Sequence, residues 1–376
     1  MPYKFLIIFI FFASIFYILI FRNQLKTIQS NQVNIENSFS SSKEVHSDSF
    51  TPRVPSLNQI FSDNHTWIAT LPAQRVRTMV ATGDVIPARS VNSKALQHKD
   101  FKWPYLKTAE VTKNADITFI NLETPLIKNC PPTQEGMVFC GNSGNVEGLV
   151  YAGVDVASLA NNHAGNYGVK AVQGTKDLLN KNGILVTGVN GYVIKDVRGI
   201  KFAFLGYNDV TTPQPVISNV DEEKIKREIE EAKKEAGIVV VTYHWGVEYR
   251  NQPDNRQKYL GHLAITAGAD LVIGNHPHWI QPIEIYKDKL ITYAHGNFVF
   301  DQMWSEKTKE GVIGKYTFYD NKLIDVEFVP IKIIELGQPH PITDPIIKKS
   351  ILDDMKTQSI FVGLDAVPVA SPLLQR

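Results

Sequence analysis

Apolar residues along this chain gather into short β-branched runs, each stopped by Gly, Asp, Asn or His. They are TMVATGD ending at Asp84, ADITFINLE at Glu123, VDVASLANNH at His163 and KFAFLGYND at Asp209. Further on come IVVVTYHW ending at Trp245, ADLVIGNH at His276 and LITYAHGN at Asn297. Continuous apolar runs bounded by turn residues predict strands buried on both faces. Between them lie helical stretches, the clearest being VDEEKIKREIEEAKKEAG. There Glu222/Lys226, Glu223/Arg227 and Glu230/Lys234 pair four residues apart and Gly237 stops the helix. Alternating strands and helices predict an α/β architecture with a stacked-sheet core. Near the end, GVIGKYTFYDNKLIDVEFVPIKI predicts a hairpin turning at Asp320, Asn321 and Lys322.

The ends follow a different pattern. Phe5 to Phe21 is 17 residues without a charge, after Lys4 and before Arg22 and Lys26. That length is at the low end of a membrane-crossing helix and just above a signal-peptide core. No small-residue cleavage site follows, so residues 1–22 are expected to be an uncleaved transmembrane signal-anchor, with a cleaved signal as the alternative. Residues 23–63 are rich in Ser, Asn and Gln and read as a flexible polar linker. The expected catalytic-type domain spans 64–338, and 339–376 reads as a C-terminal extension.

Composition narrows the possibilities. Lys+Arg total 39 against Asp+Glu 38, a net charge of +1, which leaves no global electrostatic case for nucleic acid as a partner. Hydrophobic residues at 43% and charged residues at 20% exclude a disordered or fibrous chain. The two cysteines, Cys130 and Cys140, are close enough to bridge. A bridge there would stabilise by about 2–3 kcal/mol and persist in an oxidising compartment, whereas two free thiols would carry no such message. Anchor and cysteines together place the main domain outside the cell membrane as an expectation.

The candidate chemistry lies at the strand ends. Asp84, Glu123, Asn162, His163, His244, His276 and His278 all fall at or just beyond the carboxyl end of a predicted strand, where sites of open α/β sheets are built. Carboxylates, an amide and imidazoles form a mixed oxygen and nitrogen ligand set that suits one or two divalent ions, Mn, Zn or Fe. Such ions favour hydrolysis. Each residue has a structural alternative: a helix cap for Asp84, an exposed strand end for Glu123, a core histidine for His244. In His276-Pro277-His278 the proline predicts an extended segment whose alternate side chains reach one centre. His46, His65, His98, His262 and His340 read as surface or packing residues, and His295 stays open.

With these residues in order, the chain resembles the CapA family of capsule and poly-γ-glutamate synthesis proteins, itself similar to calcineurin-like metallophosphoesterases. The resemblance rests on GDVIPAR, NADITFINLETPL, GVDVASLANNHAGNYG, HWGVEY and GADLVIGNHPHWIQPIEIY leading into GNFVFDQ, from about Met79 to Ile334. It implies a four-layer αββα sandwich of metallo-dependent phosphatase type behind an N-terminal transmembrane helix. It further implies metal ligands at Asp84, Glu123 (bridging), Asn162, His244, His276 and His278, with His163 as acid or transition-state stabiliser. Arg89 is matched to an anionic substrate group, with a structural ion pair as its alternative. Two departures stand out. The phosphoesterase pattern has a histidine where this chain has Ile86, which implies a mononuclear or weak second site. Asn166 stands where the CapA pattern has an aspartate, and His295 where it has an aliphatic residue.

Two functions follow from the resemblance. One is a metal-dependent hydrolase or transferase acting on an anionic cell-envelope polymer. The other is a non-catalytic polymer-binding accessory protein for export or attachment beside a membrane-bound polymer synthase. The sequence has no G-x-x-x-x-G-K-[ST] loop and no G-x-S-x-G elbow, so ATP-driven ligation and serine hydrolysis are unsupported.

Overall fold

The computed structural model describes residues 51–210 and 214–362. The expected signal-anchor lies outside them, as does the end of the C-terminal extension. Among the described residues no helix is long and apolar enough to cross a membrane.

The strands form two large sheets. The first runs β16 (Gln338–Pro341), β15 (Lys322–Ile334), β14 (Glu310–Tyr319), β1 (Val76–Val85), β2 (Ile117–Leu122), β5 (Val156–Ser158) and β6 (Leu185–Thr187). A further strand, β13 (Asn297–Val299), lies parallel to the end of β1. The second runs β17 (Ile360–Val362), β11 (Ile283–Tyr286), β12 (Lys289–Thr292), β10 (Leu271–Asn275), β9 (Ile238–His244), β8 (Ile200–Asn208) and β7 (Val193–Val197). A small pair, β3 (Leu126–Ile127) and β4 (Gly141–Asn142), stands apart.

Side-chain alternation on the strands explains how these sheets stack. Met79, Ala81 and Phe119 of the first sheet meet Phe204, Val240 and Ile273 of the second in one buried cluster between them. On the outer face of the first sheet, Val80 and Ile120 pack with Val146 and Leu149 from the helix Asn145–Tyr151 and with Val172 and Leu179 from Gly168–Lys181. On the outer face of the second, Val239 and Val241 meet Ile225 and Ile229 from the helix Glu222–Glu235 and Leu260 and Ala264 from Asn255–Ala267. Helices outside two facing sheets make the four αββα layers expected from the resemblance. The predicted hairpin is the β14–β15 turn, where Asp320 takes φ 53°.

Both ends of the domain reach further than expected. The compact unit starts at Pro52, ahead of the expected linker boundary at 63. Ser56 caps the short helix Leu57–Ile60, Ile60 is buried, and Phe61 stacks on Phe328 with ring centroids 6.0 Å apart. At the other end, Asp344 caps the helix Pro345–Thr357, Ile351 and Met355 pack between the sheets, and β17 adds to β11 in parallel. Residues with few large apolar side chains dock here because a few well-placed ones suffice when a sheet already exists to receive them.

His65 adds an ion pair to this docking, with Nδ1 2.9 Å from Asp325 Oδ2. The Asp325 hydrogen bond raises its pKa, against the opposing effect of burial. A raised folded-state pKa means the contribution is complete below the unfolded value of about 6.5 and disappears as pH climbs through the folded value. Stability measured by urea titration should therefore fall as pH rises above about 6.5, and His65→Gln should flatten that slope. An unchanged slope in the variant would assign the pH dependence elsewhere.

Candidate metal centre

β1 carries Asp84 into the site through a local irregularity. Its register with β2 and β13 shifts near Asp84, which is how a bulge re-aims a side chain. Gly83 makes this possible: a Cβ there would lie 2.1 Å from the Gly296 carbonyl oxygen, to which Asp84 N–H donates at 3.0 Å. Glu123 follows the last residue of β2, Asn162 and His163 follow β5, His244 ends β9, and His276 and His278 follow β10. Parallel strands from two stacked sheets thus present all the sequence-predicted ligands along one edge.

The side chains meet there. His278 Nδ1 is 3.0 Å from Asp84 Oδ2 and 2.9 Å from Asn297 Oδ1. His244 Nε2 is 2.7 Å from Asn162 Oδ1 and 3.3 Å from Glu123 Oε1. The His244 and His276 rings lie 4.8 Å apart, and those of His276 and His278 5.9 Å. Three ligand sets have donor atoms within 4.8 Å of one another: Glu123/His244/His276, Asp84/Glu123/His278 and Glu248/His276/His278. Glu123, His276 and His278 each belong to two of the three sets.

One local expectation is corrected. His276-Pro277-His278 is not extended: His276 and His278 take φ 98° and 57°, so the chain bends sharply at both. Positive φ on a non-glycine residue costs energy and is held by surrounding structure. The convergence of the two imidazoles comes from this bend, not from strand alternation.

Asn121 holds much of the centre. Its Nδ2 donates to Asp84 Oδ1 at 2.9 Å, lies 3.4 Å from Glu123 Oε2 and 3.3 Å from His244 Nδ1, while its Oδ1 accepts from Asn161 Nδ2 at 3.1 Å. Asn297 fixes His278 and itself donates to the Thr308 carbonyl at 2.9 Å. Neither amide, nor Glu248, was among the sequence candidates. A strand-interior asparagine, disfavoured in sheets, and a glutamate four residues after His244 were the available signals.

Burial sets the protonation states. It lowers His244 to about 3 and takes His276 well below the usual imidazole value, so both rings are neutral, and Nδ1 of His276 has no partner. Burial also opposes charge on Asp84 and His278, yet their mutual contact prevails, lowering the aspartate and raising the histidine to about 9. Glu123, buried and beside Asp84, is raised well above the carboxylate range. A cation would take the place of these protons. The site fits one: Glu123 Oε1, His276 Nδ1 and both amide atoms of Asn275 are buried without a hydrogen-bond partner. Neutral imidazoles with carboxylate and amide oxygens suit a borderline divalent ion.

His163 sits beside this cluster, 7% exposed, with Nδ1 2.9 Å from Asn166 Oδ1. Its ring centroid is 4.2 Å from that of Phe139, whose N–H donates to the same Asn166 oxygen at 2.7 Å. Phe139 is delivered by the loop that the Cys130–Cys140 disulfide closes, so the bridging expectation holds. Arg89 pairs with Asp301, donates to the Gly136 carbonyl at 3.1 Å and lies over the Phe139 and Phe300 rings. Its fork is engaged in the ion pair that was the alternative to substrate binding. Ile86, where a metal histidine stands in phosphoesterases, is buried with Ala88, Phe139 and Phe300. His295 bonds Tyr316 Oη at 2.9 Å and faces the core. Among the remaining histidines, His262 meets Glu284 Oε1 at 2.8 Å, His98 stacks on Trp103, and His340 is 2.8 Å from Gln338 Oε1; these are packing roles. His46 lies outside the described residues.

The chain is 33% identical over 298 residues to the PGA biosynthesis protein CapA of Bacillus subtilis (strain 168), covering 74% of this chain and 77% of that one. It is 31% identical over 296 residues to the capsule biosynthesis protein CapA of Bacillus anthracis, covering 73% and 71%. Among solved structures, a novel phosphatase from Mycoplasma pneumoniae superposes with TM-score 0.48 at 13% identity, over 71% of this chain and 95% of that one. The family described as bacterial capsule synthesis protein PGA_cap matches residues 78–302, and the chain belongs to it.

Proposed function

We propose that this protein serves the biosynthesis of capsule, poly-γ-glutamate or a related anionic cell-envelope polymer as a metal-dependent hydrolase or transferase. In this reading residues 1–22 anchor it in the cell membrane and the sandwich works outside, beside a membrane-bound synthase that supplies any ATP chemistry. The observation that carries the catalytic part is the buried ligand cluster sharing Glu123. A ligand set this desolvated, with two neutral imidazoles facing two carboxylates, is costly to maintain in a purely structural role.

Asp84, Glu123, Asn162, His244, His276 and His278 would hold one or two divalent ions, with Glu248 as a further carboxylate. When bound, such ions supply Lewis acidity and water activation for hydrolysis of a phosphoryl or acyl centre. Asn121 and Asn297 keep the ligand side chains oriented, as outer partners of metal sites do. His163 is lowered to about 4 by burial, so it is neutral near pH 7. With Nδ1–H donated to Asn166, its Nε2 carries the lone pair and would take a proton from the attacking water as that oxygen bonds to the phosphoryl or acyl centre. It then returns that proton to a leaving oxygen or nitrogen as acid.

The accessory reading has one observation in its favour: Ile86 deprives a second ion of the histidine that phosphoesterases place there. His163→Ala separates the two readings. In the catalytic case it keeps bound metal and polymer affinity but loses about 10²–10⁴-fold in turnover of phosphoester or γ-glutamyl substrates. Equal loss of affinity and turnover, or no turnover by the metal-loaded wild type, assigns the site to binding alone.

A further inference from the structure

A wide cleft lies away from the metal centre. It measures about 770 Å³ and is walled by the segment from Pro52 to Gln59, the β11–β12 hairpin, the β14–β15 hairpin and Asp270. Asp270 immediately precedes β10, whereas His276 immediately follows it. At about 3.3 Å of rise per residue the two ends of this strand lie about 20 Å apart. The cleft therefore opens at the amino-terminal ends of the strands that carry metal ligands at their carboxyl ends.

Its charge is uneven. Arg53, Lys287, Lys289 and Lys322 line it against Asp270 and Asp288. Asp270 is fully engaged, accepting from Lys233 Nζ at 2.5 Å, Lys289 Nζ at 2.6 Å and Val239 N–H at 2.9 Å. Asp320, beside the β14–β15 turn, is engaged by Arg75. Arg53, Lys287 and Lys322 form no ion pair among the described residues, Lys287 lying over the Tyr286 ring, whereas other surface cations, such as Arg198 with Asp116 and Lys315 with Glu327, do. On a chain of net charge +1, these three cations outnumber the one lining carboxylate without an ion pair, Asp288, and leave a local attractive field for anions around the concavity.

We infer that this cleft, framed by Arg53, Lys287 and Lys322, binds a polycarboxylate chain at a second site separate from the metal centre. The three cations stand on three different segments, so spaced charges match them better than one compact anion. The inference rests on the proposed function only for the identity of the polymer; the cleft's charge and position are independent of it. It also gives the protein two contacts on one chain, which raises the effective concentration of polymer at the metal centre.

The test uses the full chain, poly-γ-glutamate as probe and neutral dextran as control. Lys287→Glu/Lys322→Glu changes two hairpin-turn side chains that make no ion pair. It should weaken poly-γ-glutamate binding about tenfold or more at low salt, reduce its salt dependence and leave metal content unchanged. Arg53→Glu, on a separate and exposed segment, should act in the same direction. Binding as tight as wild type in both variants overturns the inference, as does binding that His276→Ala/His278→Ala alone abolishes, or absence of binding by the wild type. Loss of the catalytic reading is scored separately, by turnover of the metal-loaded wild type with cleft-dependent binding intact.

Discussion

The wild-type chain is expected to purify with near-stoichiometric manganese, zinc or iron, and His276→Ala/His278→Ala without it. The double variant should also lose the thermal stabilisation that added metal gives the wild type. The two positions contribute differently. His276 is buried and neutral with an unpartnered Nδ1, so its imidazole is held ready for a ligand role and makes little of the protein's own hydrogen bonding. His278 is paired to Asp84, and removing it strands a buried carboxylate. Breaking a buried pair from one side costs about 3–5 kcal/mol. His276→Ala alone should therefore lose metal while keeping most of the metal-free stability, and His278→Ala should lose both. Elemental analysis combined with urea titration reads the two effects apart. Full metal occupancy in the double variant would place the ion, and with it the proposed chemistry, elsewhere.

Gly274→Ala should be the most damaging single methyl group in the second sheet. A Cβ at this position would stand 2.0 Å from the Tyr293 carbonyl oxygen and 2.3 Å from Trp245 Nε1. Those two atoms share a hydrogen bond of 2.9 Å, so the methyl group lands on the bond itself. Trp245 has no room to retreat, because it is fully buried and stacked on Tyr243 at 4.6 Å. Overpacking and an orphaned indole N–H together cost about 3–5 kcal/mol. For a domain of this size that lowers the melting temperature by about 10 °C. Because Gly274 lies two residues before His276, metal affinity should fall as well. A Trp245→Leu background should return part of the lost stability by opening space for the methyl group. A near-native melting temperature in Gly274→Ala would mean that β10 and β12 slide apart more easily than their parallel pairing implies.

The strands that carry the centre were legible because each ends where its apolar run ends. β2 stops at Leu122 before Glu123, β9 at His244 and β10 at Asn275 before His276. Periodicity had nothing to say about which sheet each strand joins. β1, β2 and β5 pair in one sheet and β8, β9 and β10 in the other, an arrangement decided by contacts far apart in sequence. Asp84 and the His276 backbone meet across 192 residues. The bends at His276 and His278 were hidden because positive φ is imposed by the tertiary site against local preference. Arg89 was ambiguous for a similar reason: an arginine fork suits a substrate and Asp301 equally well, and 212 residues separate it from that partner. Docking of residues 52–63 went unread because their few apolar side chains, Val54, Leu57, Ile60 and Phe61, pack on a surface that sequence does not display.

The ligands come from both sheets, Asp84 and Glu123 from one and His244, His276 and His278 from the other. Of the three ligand sets, Glu248/His276/His278 comes from the second sheet alone, whereas the two that include Glu123 draw on both sheets. An ion held by Glu123 would therefore enter only once the two sheets have closed. The affinity of a nitrogen and oxygen site follows the same general order among divalent metals in most proteins, so which ion is acquired depends on metal availability as well as on the ligands. An ion bound through Glu123 would accordingly reflect the metal supply surrounding the chain as its sheets come together, and metal content would become a record of where the protein folded.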